Sequence, residues 1–242
     1  MLLHMACQSL LLALCIRQVR LEECIYQSFA GGINMSYLKA FVSAILAGIS
    51  IGLGGLVFLS VDNRVIGAGL FTIGLFCVCT FGFNLFTGKV CYVLQNDKEY
   101  SMQLPVIWLG NYVGTGLTAA CVLLTRNATA LSDKAMSICQ IKINDSYVSL
   151  FFMGLLCNIL IYFAVEGFKN NVQETGKYLS LFFGVMVFIL SGTEHCVADM
   201  FYFWMAKDWY LKSIIALFVI TAGNIIGGVA VATLHKCIKQ IK

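Results

Sequence analysis

Two short stretches put reactive side chains in the middle of long apolar runs: Gly82-Phe83-Asn84-Leu85-Phe86-Thr87-Gly88-Lys89 and Ser191-Gly192-Thr193-Glu194-His195-Cys196-Val197-Ala198-Asp199. The first offers the hydroxyl of Thr87 and the ammonium of Lys89. The second sets the imidazole of His195 between two carboxylates, Glu194 and Asp199. Imidazole titrates near neutrality and a hydroxyl both donates and accepts, so together they can hydrogen-bond or protonate a small anion. Other chemistries are poorly served. No serine elbow or metal set accompanies His195. The remaining histidines, His4 and His235, lie at the chain ends, so paired mid-chain ligands for a haem are missing. The chain is therefore expected to be no enzyme and to need no cofactor or metal.

The elements that must position these residues follow from the solvent they fold in. Of the 242 residues 60% are apolar and 12% charged, with a mean hydropathy of +0.85; soluble domains carry about a quarter charged residues. A polytopic helical membrane protein is the class that remains, because lipid requires every backbone group to be paired within its own helix. Six largely uncharged runs reach the roughly 20 residues needed to cross: 38–61, 66–95, 104–125, 148–168, 178–206 and 211–234. The joints are polar, the longest running from Arg126 to Asp145. Six crossings put both termini on one side, and that side carries nine Lys/Arg against six, so both termini are expected in the cytoplasm of a multi-pass cell-membrane protein. Net charge +4 is mostly this topology signal and implies no nucleic-acid partner.

Residues 1–34 are expected to form an interfacial amphipathic helix, since Arg17 and Arg20 follow the apolar stretch instead of preceding it; a signal, a seventh span or initiation at Met35 are the alternatives. Residues 35–242 are expected to make the six-helix transmembrane domain. The 11 cysteines show neither CxxC nor Cys/His metal spacing and read as small apolar fillers.

An internal repeat is visible. Gly110-Asn111-Tyr112-Val113-Gly114 in span three answers Gly223-Asn224-Ile225-Ile226-Gly227 in span six, and Asn84-Leu85-Phe86 in span two is set against Asp199-Met200-Phe201 in span five. Three spans repeated must be inserted in opposite senses, and folds of that kind place a solute pathway where broken helices of the two halves meet. Spans two and five, too long for a straight crossing and rich in Gly and polar residues at their middles, are the expected breaks. The GNxxG glycines read as close helix packing. Glu194, His195 and Asp199 cost several kcal/mol in hydrocarbon unless they line a cavity or find partners, which makes them functional candidates.

At these residues the chain resembles the formate/nitrite transporter family of pentameric anion channels, from Met35 to the C-terminus. Asn84-Leu85-Phe86-Thr87-Gly88 is similar to the family's LFTG break in the second helix, and Ser191-Gly192-x-Glu194-His195-x-x-Ala198-x-Met200 to its SGxEHxxANM break in the fifth. The resemblance implies an aquaporin-like protomer with its own pore, although the Asn-Pro-Ala boxes of aquaporins cannot exist in a chain whose one proline is Pro105. It implies five such protomers around an axis, and formate, nitrite or a related small anion as solute, with hydrosulfide or a short-chain monocarboxylate as the alternative. It places a central histidine at His195 with Thr87 facing it, apolar constrictions at Phe71, Leu75, Leu85, Phe86 and Phe188, an extracellular-side lysine at Lys142 and a fourth-helix asparagine at Asn158. Asp199 stands where the family has Asn, Lys89 where a small or polar residue is usual, Thr193 where an aromatic is common and Ser149 where a glutamate often lies. Lys89 and Asp199 are expected to neutralise each other at the two breaks, and Glu194 to satisfy backbone groups. A naked anion will not cross rings of Phe and Leu, so the expected solute is a small weak acid moving with a proton, collected by Lys142 and handled by His195.

Overall fold

The structure, a computed structural model, describes residues 35–241, so the interfacial helix expected over 1–34 lies outside the described residues. Of the two compact units, residues 1–39 and 40–242, the described part of the first is the opening turn of a helix.

Nine α-helices carry the described chain: α1 (Met35–Ser60), α2 (Arg64–Phe81), α3 (Phe86–Val90), α4 (Lys98–Leu123), α5 (Ala128–Ile143), α6 (Tyr147–Asn170), α7 (Glu174–Leu190), α8 (Cys196–Ala206) and α9 (Leu211–Gln240). Their starts follow local chemistry. Asn63 accepts from the amides of Val65 and Ile66, Asp97 from Tyr100 and Ser146 from Ser149, satisfying amides that have no partner within the helix. The early cap at Asp97 begins span three at Lys98, before its uncharged run.

Five helices, α1, α2, α4, α6 and α9, are long and apolar enough to cross a membrane. The predicted second and fifth spans are each divided. α2 stops at Gly82 and resumes as α3, and α7 stops before Gly192 and resumes as α8; both glycines adopt φ of 70°, a left-handed conformation that costs other residues a steric clash. Matching features sit 110 residues apart: Arg64 and Glu174 open helices, Gly82 and Gly192 break them, Phe86 and Cys196 restart them. This is in keeping with the expected three-and-three repeat, with one change of register. Asn84 corresponds to Glu194, not to Asp199.

The joint from Arg126 to Asp145 is not a loop: it contains α5. Leu131, Ala135, Cys139 and Lys142 are its buried residues, spaced to form one helical stripe, and that stripe packs on α8. Elsewhere α6 packs along α7 and α9, α2 on α7, and α4 on α8. The GNxxG glycines allow the close approaches: a Cβ on Gly114 would lie 2.1 Å from the Ile45 carbonyl oxygen, and one on Gly227 2.1 Å from that of Leu155. The described cysteines are free thiols.

Candidate functional site

Each break needs its backbone polar groups satisfied at membrane depth, and two asparagines do so in the same way. Asn111 on α4 accepts from the Phe86 amide through Oδ1 (2.8 Å) and donates through Nδ2 to the carbonyls of Asn84 (3.0 Å) and Ala44 (2.8 Å). Asn224 on α9 accepts from the Cys196 amide (2.9 Å) and donates to the carbonyls of Glu194 (2.9 Å) and Gly154 (2.7 Å). Both are fully buried. Sequence reasoning saw these residues only as members of a packing motif. The amide role was missed because the partners lie 25 to 70 residues away in the chain.

The breaks bring Thr87 and His195 together. Thr87 Oγ1 and His195 Nε2 are 2.9 Å apart, both side chains buried. His195 is also the N-cap of α8, its Nδ1 accepting from the Ala198 amide at 3.1 Å. With Nδ1 used as an acceptor, the neutral ring carries its proton on Nε2 and donates it to Thr87. Thr87 then keeps its own hydroxyl proton for another acceptor. Asn158 stands behind this pair: its Nδ2 donates to the carbonyls of Thr87 (3.1 Å) and Asn224 (2.7 Å), and its buried Oδ1 has no partner among the described residues.

His195 borders one cavity, and Gly88, next to Thr87 in the chain, borders another. One, of about 410 Å³, is bordered by Phe188, His195, Lys142, Glu194, Asp199 and Arg64; the other, of about 130 Å³, by Leu75, Leu85, Gly88, Lys89, Val165 and Lys169. Of the apolar residues assigned to constrictions, Phe188 borders the first, Leu75 and Leu85 the second, and Phe71 neither. The Phe188 ring stacks on His195, with centroids 5.6 Å apart, and meets Phe71 edge-on at 5.9 Å. Leu75 and Leu85 line the second cavity. Phe86 is buried but borders neither.

The charged residues are arranged otherwise than expected. Asp199 does not meet Lys89. Its Oδ1 lies 2.9 Å from Lys142 Nζ, and Glu194 Oε2 accepts a hydrogen bond from the same ammonium. Lys89 and Asp199, 110 residues apart and on the two different short helices, border different cavities. Glu194 does not serve the backbone of the break through its side chain; Asn224 does that work, and the Glu194 carboxylate holds Lys142. The Lys142 side chain is thus a buried member of a triad, not a solvated loop lysine. Burial opposes its charge, but the two carboxylates outweigh burial and hold it above the ordinary lysine range. Outside the spans, Lys134 donates to Asp62 at 2.8 Å and holds that carboxyl below its usual value, tying α5 to the joint after α1. Arg64 and Lys169, on the cavity walls, were not singled out from sequence; both lie at predicted span ends, where a basic residue reads as a topology signal. Among the described residues no group of His, Cys, Asp and Glu is arranged to hold a metal.

This arrangement, a buried hydrogen-bond pair at paired helix breaks with a cavity beside it, can receive a small polar solute and screen it from lipid. Known proteins are similar to this chain in sequence and fold. The nitrite transporter NirC of Salmonella typhimurium is 31% identical over 216 residues, covering 79% of this chain and 80% of its own. The formate channel FocA of Haemophilus influenzae is 25% identical over 239 residues, covering 81% and 84%. Among solved structures, a pentameric formate channel with formate bound superposes with a TM-score of 0.76 at 26% identity, over 87% of this chain and all of the other. An ion channel of the FNT family gives 0.72 at 28%, over 84% and 90%. The family model described as Formate/nitrite transporter matches residues 22–238, and with that span of a 242-residue chain the protein belongs to the formate/nitrite transporter family of membrane channels.

Proposed function

We propose that each chain forms a channel for small monovalent anions of weak acids, formate or nitrite, which pass its centre as the neutral acid. The observation that carries this reading is the buried Thr87–His195 pair, 2.9 Å apart, with His195 on the wall of one cavity and Gly88, next to Thr87, on the wall of another. Phe188, Phe71, Leu75 and Leu85 surround the approach with apolar surface, where an unpaired carboxylate loses several kcal/mol or more of hydration unless it takes up a proton. The resulting acid is small, uncharged and able to accept the free hydroxyl proton of Thr87.

The same geometry supports a particular form of proton coupling. His195 uses Nδ1 as an acceptor for the Ala198 amide, so an imidazolium would set two N–H groups against each other and give up the cap of α8. His195 is therefore read as a neutral donor that orients Thr87, with the transported proton on the solute. Asn158 holds the Thr87 backbone in place. The formate channel with which the chain superposes is pentameric, and we assign this chain the same assembly, with both termini cytoplasmic and residues 1–34 as an interfacial segment.

The test is uptake into proteoliposomes across pH for formate, nitrite, hydrosulfide and acetate. Uptake should rise as pH falls, in step with the neutral fraction of each acid, and His195→Ala should lower it at least tenfold while the oligomer persists. Wild-type rates in that variant would remove the histidine from the pathway. Hydrosulfide or acetate outrunning formate and nitrite would replace the solute while keeping the mechanism.

A further inference from the structure

The two cavities differ in charge. On the wall of the larger one, two cations face two carboxylates: Lys142 is held by Glu194 and Asp199, and Arg64 spends one N–H on the Ile189 carbonyl at 3.2 Å. Its formal charges cancel. The smaller cavity has Lys89 and Lys169 on its wall and no acid. Glu166, one turn before Lys169, is committed elsewhere: it accepts from Tyr92 Oη at 2.8 Å and from Lys239 Nζ at 3.3 Å, with His235 at 3.9 Å. Lys169 lies over the Tyr92 ring, 4.6 Å from its centroid, and among the described residues neither Lys169 nor Lys89 has a carboxylate partner. Two ammonium groups on one small cavity, one of them half-buried beside Leu85, repel each other and are costly to hold without a counter-charge.

The geometry points to Lys89 and Lys169 as an anion-binding site at the mouth beneath Leu85, which takes a small monovalent anion such as a carboxylate or nitrite before it is protonated. This rests on the proposed transport of such anions and adds to it a sidedness. A volume of about 130 Å³ admits a solute of this size with a few waters, each about 30 Å³ in the liquid. Gly88, the chain neighbour of Thr87, lines the same cavity as Lys89, so an anion held there lies one residue along α3 from the hydrogen-bond pair. Lys89 then has a role that pairing with Asp199 does not give it. The site lies on the side of the chain's C-terminus, so capture is tighter from that side than from the Arg64 side.

The experiment measures initial rates of formate flux in right-side-out and everted vesicles, giving KM from each face. In the wild type KM should be lower from the Lys89–Lys169 face. Lys89→Gln and Lys169→Gln should each raise KM from that face by roughly threefold or more, leave KM from the other face unchanged, and weaken the dependence of KM on ionic strength. Lys89→Arg should retain the wild-type value. Equal changes at both faces, or none, overturn the site while wild-type formate flux still upholds the transport reading. Absence of formate flux in the wild type would instead remove that reading. The same ammonium groups suit lipid phosphate, so the assay is repeated in vesicles of phosphatidylcholine alone. An effect of the substitutions confined to vesicles containing anionic lipid assigns the lysines to the bilayer and overturns the proposal.

Discussion

Lys142 donates to Glu194 and Asp199 in a buried site, and a lysine so engaged has little charge left with which to gather anions. Removing a partner from such a cluster exposes the others to an uncompensated environment, which costs about 3–5 kcal/mol. Lys142→Met should therefore lower the melting temperature in detergent strongly. The neutral triple variant Lys142→Met, Glu194→Gln, Asp199→Asn should recover most of that loss. Asp199→Asn alone should fold normally, since it removes one of two carboxylates that share a single ammonium, and it leaves the Arg64 mouth with a net positive charge; KM for formate from that face should fall. A strongly destabilised Asp199→Asn would mean that the second carboxylate is required. The central pair was legible because the two motifs resemble a known family whose breaks set a threonine against a histidine at the positions of Thr87 and His195, whereas the triad was not. Its lysine sits in a joint whose polar composition reads as solvated surface, and only the spacing Leu131, Ala135, Cys139, Lys142 carries the signal of a helix with a buried stripe.

The helices position this chemistry by interruption, and the interruptions depend on close packing around them. Asn111 and Asn224 reach the broken segments because α4 lies against α1 and α9 against α6, at distances that exclude a side chain. A methyl group on Gly114 would sit 2.1 Å from the Ile45 carbonyl oxygen, against backbone that has no rotamer to change, while one on Gly88 meets nothing nearer than a Val165 methyl at 3.8 Å. Gly114→Ala should therefore cost about 1–3 kcal/mol through forced separation of the helices and Gly88→Ala very little, read as thermal unfolding in detergent. Equal stabilities would place the helix contact elsewhere. Span number and most span ends could be read from hydropathy, which is an average over about 20 residues and reports lipid-facing length well. The same averaging ran spans two and five together across their breaks. There the local residues, Gly82 and Gly192 with their polar followers, gave the position, and long-range amides fixed the register that similarity of short strings had set five residues away.

At the scale of the molecule, the proposed function gives each protomer its own pathway, centred on the Thr87–His195 pair of one chain. Large apolar side chains such as Leu70, Phe152, Phe163 and Phe218 are exposed on the spans and need lipid or neighbouring copies to cover them. In the proposed pentamer some of these faces are protein contacts, and the particle should have five times the 26.6 kDa of one chain after allowance for detergent. Independent pores make a sharp prediction about mixtures. Wild-type and His195→Ala chains co-assembled at random should give a flux that falls linearly with the wild-type fraction, because each active protomer conducts alone. A shared path on the five-fold axis, blocked by any one altered protomer, would instead lose flux as roughly the fifth power of that fraction. At a half-and-half mixture the first case retains half the flux and the second about one-thirtieth, a difference that a single time course of formate uptake resolves.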